Sequence, residues 1–162
     1  MKVLDIGPGN VPKKDATHCV DFNDEFQLEI ESKGKKFKKW DCNKLPLPYD
    51  NQEFDLVYMD NSLEHLDIDV IPFFREINRI TKFRGHFIVK VPSTMYWYQR
   101  VSYLFGYIPP DFFLAHKQHY TTSVLVEYLR QADFKIRPRN NFKMLISDFL
   151  KDGIEVKARK FQ

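Results

Sequence analysis

The chain has 162 residues, of which 43% are hydrophobic and 29% charged, and its formal net charge is +3. This length and apolar content predict one globular domain over residues 1–162 with a buried core. No apolar run reaches the roughly 18 residues that a membrane-spanning helix needs. Because the sequence also opens directly on a strand-like segment, we expect no signal peptide and a cytoplasmic location.

The two cysteines, Cys19 and Cys42, occupy strand-like positions. This pattern favours reduced, buried thiols over a disulfide framework or a zinc site, and it implies no metal. Basic residues are concentrated at Lys33–Lys39 and towards the C-terminal end. Such runs usually form solvated surfaces, and the alternative is contact with an anionic acceptor or partner.

The first candidate site is a glycine turn. Val3–Ile6 is apolar except for Asp5, as a strand buried on both faces should be, and it leads directly into Gly7-Pro8-Gly9. Glycine tolerates positive φ and lets the backbone approach a ligand closely. The third glycine of a dinucleotide site and the Gly-Lys-Ser/Thr of a phosphate loop are both missing, which favours a ligand without phosphates. A glycine turn that binds nothing is the alternative.

The next elements are short. A second strand over residues 17–20 ends at Asp21, and the stretch between Gly9 and Asp21 is too short for an ordinary helix. Phe22–Ser32 is ambiguous between a helix and an extended segment, and we assign it as a weak helix. Phe37–Trp40 is the third strand, after which Leu45-Pro46-Leu47-Pro48 can form neither a helix nor a central strand.

The second half of the pattern alternates strands and helices. Phe54–Met59 is the fourth strand, and a helical turn follows over residues 62–66. Apolar positions at helical spacing predict a helix over Val70–Lys82, with Gly85 as its stop signal. His86–Val91 is the fifth strand.

An aromatic segment, residues 93–118, follows the fifth strand. It is interrupted by Gly106 and Pro109-Pro110, which suits a cap over a cleft, and packing in the core is the alternative. A helix is then predicted after Thr121 through residue 132. Phe134–Ile136 and Ile154–Ala158 alternate apolar and polar residues, so the sheet is expected to close with an antiparallel pair.

The order of these motifs resembles one family. Leu-Asp-Ile-Gly-x-Gly at residues 4–9, an acidic strand end, Asp41 before Leu-Pro-Leu-Pro, Phe-Asp-Leu-Val at 54–57 and Ser-Leu-Glu-His at 62–65 are similar to class I S-adenosylmethionine-dependent methyltransferases of the type 11 group. The resemblance covers Val3 to Phe134. The segment Lys82-Phe83-Arg84-Gly85 departs from the family's Lys-Pro-Gly-Gly.

The resemblance implies a Rossmann-like α/β fold. Its sheet should be mostly parallel with an antiparallel C-terminal strand pair, and the first crossover helix should be reduced or absent. It also implies S-adenosylmethionine as cofactor and methyl transfer to an oxygen or nitrogen of an unidentified acceptor. The similarity to small methyltransferases of glycan and surface-polymer metabolism favours a small molecule or a glycan.

Carried onto this sequence, the family's cofactor contacts fall at strand ends. The glycine turn would hold the amino-acid part of the cofactor. Asp21 would bind the ribose hydroxyls, and Asp41 and the backbone of Cys42 would contact the adenine. Residues after the fourth strand would lie near the sulfonium. The expected cofactor-binding residues are Asp5, Gly7, Pro8, Gly9, Asp21, Phe22, Asp41, Cys42, Asp60, Asn61 and Ser62.

Four residues are candidate general bases: Glu64, His65, His116 and His119. Histidine is the side chain best matched to proton transfer near neutral pH, so His119 and His65 are taken as the catalytic candidates. Structural roles at a helix start and in a pre-helix turn are the alternatives. Neither Asp/Asn-Pro-Pro-Tyr nor a Pro-Cys nucleophile is present, which disfavours methylation of DNA bases. Other readings are a degenerate cofactor-binding partner subunit and a nicotinamide-dependent oxidoreductase.

The missing crossover helix also bears on assembly. With no helix between Gly9 and Asp21 and a first strand at the start of the sequence, one face of the sheet is expected to lack cover. We therefore expect a homodimer, since exposed apolar patches usually mark interfaces. The aromatic segment or residues 140–151 would provide intramolecular cover instead.

Overall fold

The computed structural model describes residues 1–93, 97–107, 116–136, 150 and 153–161, except for the side chains of residues 99 and 103. These residues form one sheet with the strand order β3-β2-β1-β4-β5-β7-β6. The strands are β1 Val3–Ile6, β2 His18–Asp21, β3 Lys36–Lys39, β4 Phe54–Asp60, β5 Thr81–Pro92, β6 Phe134–Ile136 and β7 Gly153–Lys160. The helices in this part of the chain are α1 Gln27–Ser32, α2 Val70–Ile80, α3 Trp97–Leu104 and α4 Thr122–Gln131, with a 3₁₀ turn at Leu63–His65.

The strand directions place the carboxyl ends of β1, β2, β4 and β5 at one edge. The pairs β1–β2, β2–β3, β1–β4 and β4–β5 are parallel, whereas β7 runs antiparallel to both β5 and β6. From β1 the chain continues outwards to β2 on one side, and it returns to β4 on the other side. Ligands of open α/β sheets bind at such a switch point, outside the carboxyl ends of the strands. The predicted Rossmann-like fold with an antiparallel C-terminal pair is confirmed.

The two faces of the sheet are covered unequally. One face carries Leu4 and Val57, which belong to a large buried cluster with Phe74 of α2 and Leu125 of α4. We call this the thick face. On the opposite, thin face, the buried cluster in the described part of the chain consists of Val3, Ala16, Cys19 and Ile30.

The loop that replaces the first crossover helix explains the thin face. Between β1 and β2 the chain forms two tight turns instead of a helix, as predicted, and returns to the sheet where the Thr17 N–H donates to the Val3 carbonyl at 3.0 Å. Ala16, only 4% exposed, is the apolar side chain that this loop places over the strands. A short loop thus covers part of the sheet face that a crossover helix would otherwise cover.

The end of α2 differs from the prediction. The helix stops at Ile80 and β5 begins at Thr81, so Gly85 lies inside a strand and does not end the helix. Strand pairing prevails here, because Thr81 pairs with Phe54 before the register shifts towards Leu56. A Cβ on Gly85 would lie 2.8 Å from the Lys82 carbonyl oxygen, so the close fold of this bulge requires glycine.

The segments predicted to cap or cover the sheet are only partly described. Of the aromatic segment 93–118, residues 94–96 and 108–115 lie outside the described residues, as do 140–149 and 151 of the alternative cover. Within the segment, α3 exposes apolar side chains such as Trp97 (42%) and Leu104 (84%). Across the described ranges, every helix is too short or too polar to cross a membrane.

Candidate cofactor and acceptor site

The glycine turn adopts the conformation for which glycine is suited. Gly7 has φ +66° and Gly9 has φ +54°, both in the left-handed region that side chains disfavour. The Gly7 N–H donates to the Val20 carbonyl at 2.8 Å, which ties the turn to β2. The sequence therefore ends β1 in a turn that lies across the carboxyl edge of the sheet.

The two glycines have different surroundings. A Cβ on Gly7 would lie 2.5 Å from Oγ and 2.8 Å from Cβ of Ser62, whose hydroxyl donates to the Gly7 carbonyl at 2.9 Å. A Cβ on Gly9 would meet nothing within 4 Å. Gly7 is therefore packed against the β4 end, while Gly9 borders the open space where a ligand can lie against the backbone.

Asp21 lies beside this space at the end of β2. Its Oδ2 accepts from the Gly9 N–H at 3.3 Å and its Oδ1 accepts from the Asn23 N–H at 3.2 Å. Both bonds are long, and a half-buried carboxylate that accepts two hydrogen bonds still has lone pairs for further donors. The neighbouring Phe22 is 71% exposed. Asp21 can therefore order the loop and still accept hydrogen bonds from a diol.

The end of β3 is joined to the end of β2. The Trp40 N–H donates to the Asp21 carbonyl at 2.8 Å, which places Asp41 and Cys42 next in line along the edge. Asp41 accepts from the backbone and side-chain amides of Asn43, and these bonds lower the pKa of its carboxyl. Burial raises the pKa of the Cys42 thiol to about 12, so this cysteine stays protonated and is no nucleophile.

Asp5 lies beneath the glycine turn. It is 2% exposed, and its Oδ2 accepts from the Lys13 N–H at 2.7 Å. Burial raises the pKa of this carboxyl to about 6, against the opposing effects of the Lys13 hydrogen bond and charge. Pro8, half-buried, lies in the turn above it. Asp5 thus anchors the loop that follows the turn.

Lys13 connects that loop to β4. Its ammonium forms an ion pair with Asp60 Oδ2, a contact that raises the pKa of the lysine. Lys90 Nζ lies 3.7 Å from Asp60 Oδ1, and that oxygen is buried without a hydrogen-bond partner among the described residues. Asn61 follows with φ +49° and donates its N–H to the Lys90 carbonyl at 2.9 Å. Within the described part of the chain, the turn after β4 therefore carries a buried carboxylate oxygen that lies near the Lys90 ammonium but accepts no hydrogen bond.

The 3₁₀ turn after Ser62 brings a carboxylate towards histidines. Glu64 is 2% exposed, its Oε1 lies 3.9 Å from His65 Nε2, and burial raises its pKa. The ring centroids of His65 and His116 are 5.1 Å apart, and those of His116 and His119 are 6.4 Å apart. Burial, and then the neighbouring imidazoles, lower the pKa of His116. Three of the chain's five histidines thus gather beside the end of β4.

A separate groove lies away from these residues. A cavity of about 960 Å³ is lined by the first residues of β2 and β3, His18 and Lys36, together with Arg79 and the Leu-Pro-Leu-Pro segment. It is at the amino ends of the strands. Arg79 is bonded to Glu76 at 2.6–3.0 Å, so this guanidinium is already occupied. No predicted site residue lies there, and we assign the function to the carboxyl edge.

The predicted site residues collect along that edge in the order of their strands, β3, β2, β1 and β4. The predicted candidates His65 and His119 lie with Glu64 and His116 beside the turn after β4. Sequence reasoning did not anticipate Lys13 as the partner of Asp60, although a basic pair in a short loop between two acidic strand ends was a usable signal. It also did not anticipate that His116 approaches Glu64.

Solved structures of known proteins share this fold. A search of curated proteins finds no match. The chain is similar in structure to S-adenosylmethionine-dependent methyltransferases from Mesorhizobium loti (TM-score 0.70, 16% identity, 98% of this chain and 90% of that chain covered) and Archaeoglobus fulgidus (0.71, 16%, 98% and 86%). It is also similar to a Thermotoga maritima protein described as a possible histamine N-methyltransferase (0.71, 15%, 98% and 81%). At these identities the likeness concerns the fold.

The family itself is identified from the sequence pattern. The family description "Methyltransferase domain" matches residues 4–89, which is more than half of the chain and includes the carboxyl ends of β1, β2, β3 and β4. Glycine turn, strand-end carboxylates and fold thus agree with the match: the chain belongs to the methyltransferase domain family, and its cofactor is S-adenosylmethionine.

Proposed function

We propose that this single-domain protein transfers the methyl group of S-adenosylmethionine to an oxygen or nitrogen of an acceptor, with a small molecule or a glycan favoured. The observation that carries the proposal is the open space beside Gly9, bordered by Asp21 and by the turn after β4. Family membership supports the reaction type. The acceptor class rests on the weaker similarity to small glycan-related methyltransferases.

The residues along the edge fit the parts of the cofactor. Asp21 would accept from the ribose hydroxyls, and the Gly7–Gly9 backbone would lie against the amino-acid part. Asp41 and the backbone of Cys42 would border the adenine beside Phe22. Asp60 Oδ1, which accepts no hydrogen bond among the described residues, would accept one from the ammonium of the cofactor's amino-acid part.

When bound, the cofactor supplies a methyl group activated by a positively charged sulfur. The chain then has to hold the acceptor in line at near-attack distance and to exclude water. His119 and His65 lie beside the β4 end and are proposed to take a proton from the acceptor. An imidazole is suited to this step near neutral pH.

Two measurements test the function. Titration calorimetry with S-adenosylmethionine and S-adenosylhomocysteine should give binding to one site per chain. Transfer of radiolabelled methyl onto small-molecule, glycan, protein and nucleic-acid fractions of a source-cell extract should label the acceptor. Binding without transfer to any fraction would contradict the enzyme and favour a partner subunit, and label in nucleic acid would contradict the proposed acceptor class.

Assembly and location form part of the same proposal. On the thin face Leu56, Tyr58 and Ile88 are only half-buried, which supports a homodimer through this face. Light scattering over a dilution series should show a dimer, and a monomer at high micromolar concentration would contradict it. Cys19 and Cys42 are both free, which supports a reducing, cytoplasmic location.

A further inference from the structure

The histidine cluster beside β4 has the composition of a metal site. Glu64, His65 and His116 each offer one ligand atom, and these atoms all lie within 4.8 Å of one another. We propose that these three residues bind a divalent metal ion such as Zn²⁺. Nothing in the family match assigns such a site, and the sequence pattern alone favoured none.

The spacing of the ligand atoms suits one ion. Nitrogen and oxygen ligands lie about 2.1 Å from Zn²⁺, so neighbouring ligand atoms of a tetrahedral site are about 3.4 Å apart. Glu64 Oε1 and His65 Nε2 are 3.9 Å apart, which is too long for a hydrogen bond and close to this separation. Because the three ligand atoms lie within 4.8 Å of one another, they have to approach each other by no more than about 1.4 Å to share one ion.

Glu64 provides an independent observation. Glu64 is only 2% exposed, and its buried Oε2 has no hydrogen-bond partner among the described residues. A buried carboxylate oxygen without a partner is costly, and a cation removes that cost. A carboxylate that merely began a helical turn would gain nothing from this burial.

The backbone holds the ligands together. The Lys117 N–H and the Gln118 N–H both donate to the Glu64 carbonyl, at 2.8 and 3.2 Å. The Gln118 side chain donates to the Ile68 carbonyl at 2.8 Å and accepts from the Tyr120 hydroxyl at 2.6 Å. These bonds fix the residue that follows His116 against the turn that carries Glu64 and His65. The three ligands therefore belong to a preformed arrangement.

The ligand set indicates the metal and its use. Two imidazoles and one carboxylate suit Zn²⁺, Co²⁺, Fe²⁺ or Mn²⁺, and three protein ligands leave coordination positions open, as in catalytic zinc sites. The His65 side chain is 47% exposed, so the cluster is open to solvent on that side. An oxygen of a small molecule can reach an open position from there.

This placement specifies the acceptor, a step that rests on the proposed function. A metal-bound hydroxyl is more acidic, so an alcohol or phenol oxygen becomes a nucleophile near neutral pH. With the metal bound, His65 serves as a ligand and not as a base, so the acceptor O–H bond breaks and its proton passes to His119 or to water. The oxygen then forms a bond to the methyl carbon, and the carbon–sulfur bond breaks with its electron pair remaining on sulfur. The metal site thus favours a hydroxyl acceptor over an amine.

The test uses the full, tag-free chain and Co²⁺ as a spectroscopic probe, with Zn²⁺ as competitor. We expect one equivalent of Co²⁺ to give visible d–d absorption that Zn²⁺ removes. His116→Ala, His65→Ala and Glu64→Gln should each weaken uptake by at least about 10-fold, since even outer-shell changes have effects of this size. His86→Ala is the matched control, because His86 lies on β5 outside the cluster, and it should bind like the wild type.

Cofactor affinity, measured by calorimetry on the same samples, separates the two proposals. Unchanged S-adenosylmethionine binding in the three cluster variants shows that they are folded. Absence of stoichiometric Co²⁺ uptake, or uptake that is equal in the cluster variants and the wild type, overturns the metal site and leaves the proposed function standing. If the wild type takes up the metal but does not bind S-adenosylmethionine, the proposed function is overturned and the metal site stands.

Discussion

The proposed site at the carboxyl edge has a proposed cofactor end and a proposed acceptor end, and the two are built by different means. The cofactor end, from the glycine turn to Asp41, uses backbone groups and carboxylates that directly follow β1, β2 and β3. The acceptor end joins the 3₁₀ turn after β4 to residues 116–119, which are distant in sequence and meet through hydrogen bonds to the Glu64 carbonyl. The first end follows from local conformation, whereas the second depends on tertiary contacts.

The largest effect is expected from Gly7→Val, which should abolish cofactor binding and destabilise the fold. A β-branched side chain at φ +66° is strained, and its Cβ would overlap Ser62 at 2.5 Å. Calorimetry and thermal unfolding measure both effects. Gly34→Val is the matched control, because Gly34 has φ +73° with nothing within 4 Å of its Cβ. If both variants lost the same amount of stability and cofactor affinity, backbone strain alone, and not the contact of Gly7 with Ser62, would explain the effect at Gly7.

Asp5→Asn should stabilise the protein above pH 6. The pKa of Asp5 is raised from 3.8 to about 6 in the fold, so the folded state favours the protonated carboxyl and stability falls as pH rises between these values. The full shift corresponds to about 3 kcal/mol, and this cost persists above pH 6. The Asn Oδ1 can still accept from the Lys13 N–H.

Urea unfolding of both proteins between pH 4 and pH 8 checks this. The stability difference between Asp5→Asn and the wild type should grow from pH 4 to about pH 6 and then stay constant up to pH 8. A difference that does not depend on pH would mean that Asp5 is ionised without cost. In that case the cofactor end would store no electrostatic strain.

Asp21→Ala should weaken S-adenosylmethionine binding by about 1–3 kcal/mol, the cost of leaving ribose hydroxyls unpaired in a desolvated site. Calorimetric titration gives the affinity. Asp24→Ala serves as control, because Asp24 lies in the same loop but is exposed and pairs with Lys39. Wild-type affinity in Asp21→Ala would remove Asp21 from the cofactor end and restrict its role to the hydrogen bond with Gly9.

The smallest effect on cofactor binding is expected from His119→Ala, since His119 is exposed and lies at the acceptor end. Affinity and unfolding temperature should stay at wild-type values. Methyl transfer to the labelled acceptor should fall by about 10²-fold or more near neutral pH, as expected when a general base is removed. Reduced cofactor affinity in this variant would show that the two ends of the cleft are not separable.

The positions of the glycine turn and of the strand-end aspartates could be predicted from the sequence because each of these features is locally encoded. Apolar runs mark the strands, parallel strands align their carboxyl ends, and glycines and aspartates at those ends must then share one edge. The short loop before β2 was predicted by its length alone. Helix α2 and the antiparallel C-terminal pair followed from their hydrophobic periodicity.

The errors and omissions have physical causes. Gly85 was the predicted stop signal of the helix, but Thr81 pairs with Phe54, so β5 already begins four residues before Gly85. The approach of His116 to Glu64 depends on hydrogen bonds between main-chain groups, which carry no sequence signature. Histidines at these positions could be listed as candidates, but only the fold shows which carboxylate they face. The contacts that bind the cofactor remain predictions.

The attachment of residues 93–120 has a consequence for how acceptor preference can change. Ser93, which directly follows β5, forms a bridge with Tyr120, and the backbone just before Tyr120 is held on Glu64. The two ends of the stretch between them are therefore held at a fixed gap, and the entropic cost of closing a stretch between fixed ends rises only slowly with its length. Segments of different length and chemistry could replace residues 94–115 while both anchors and the cofactor end stay in place. If this segment contacts the acceptor, as we propose, grafting a different segment between the two anchors changes the acceptor and leaves the proposed cofactor residues in place.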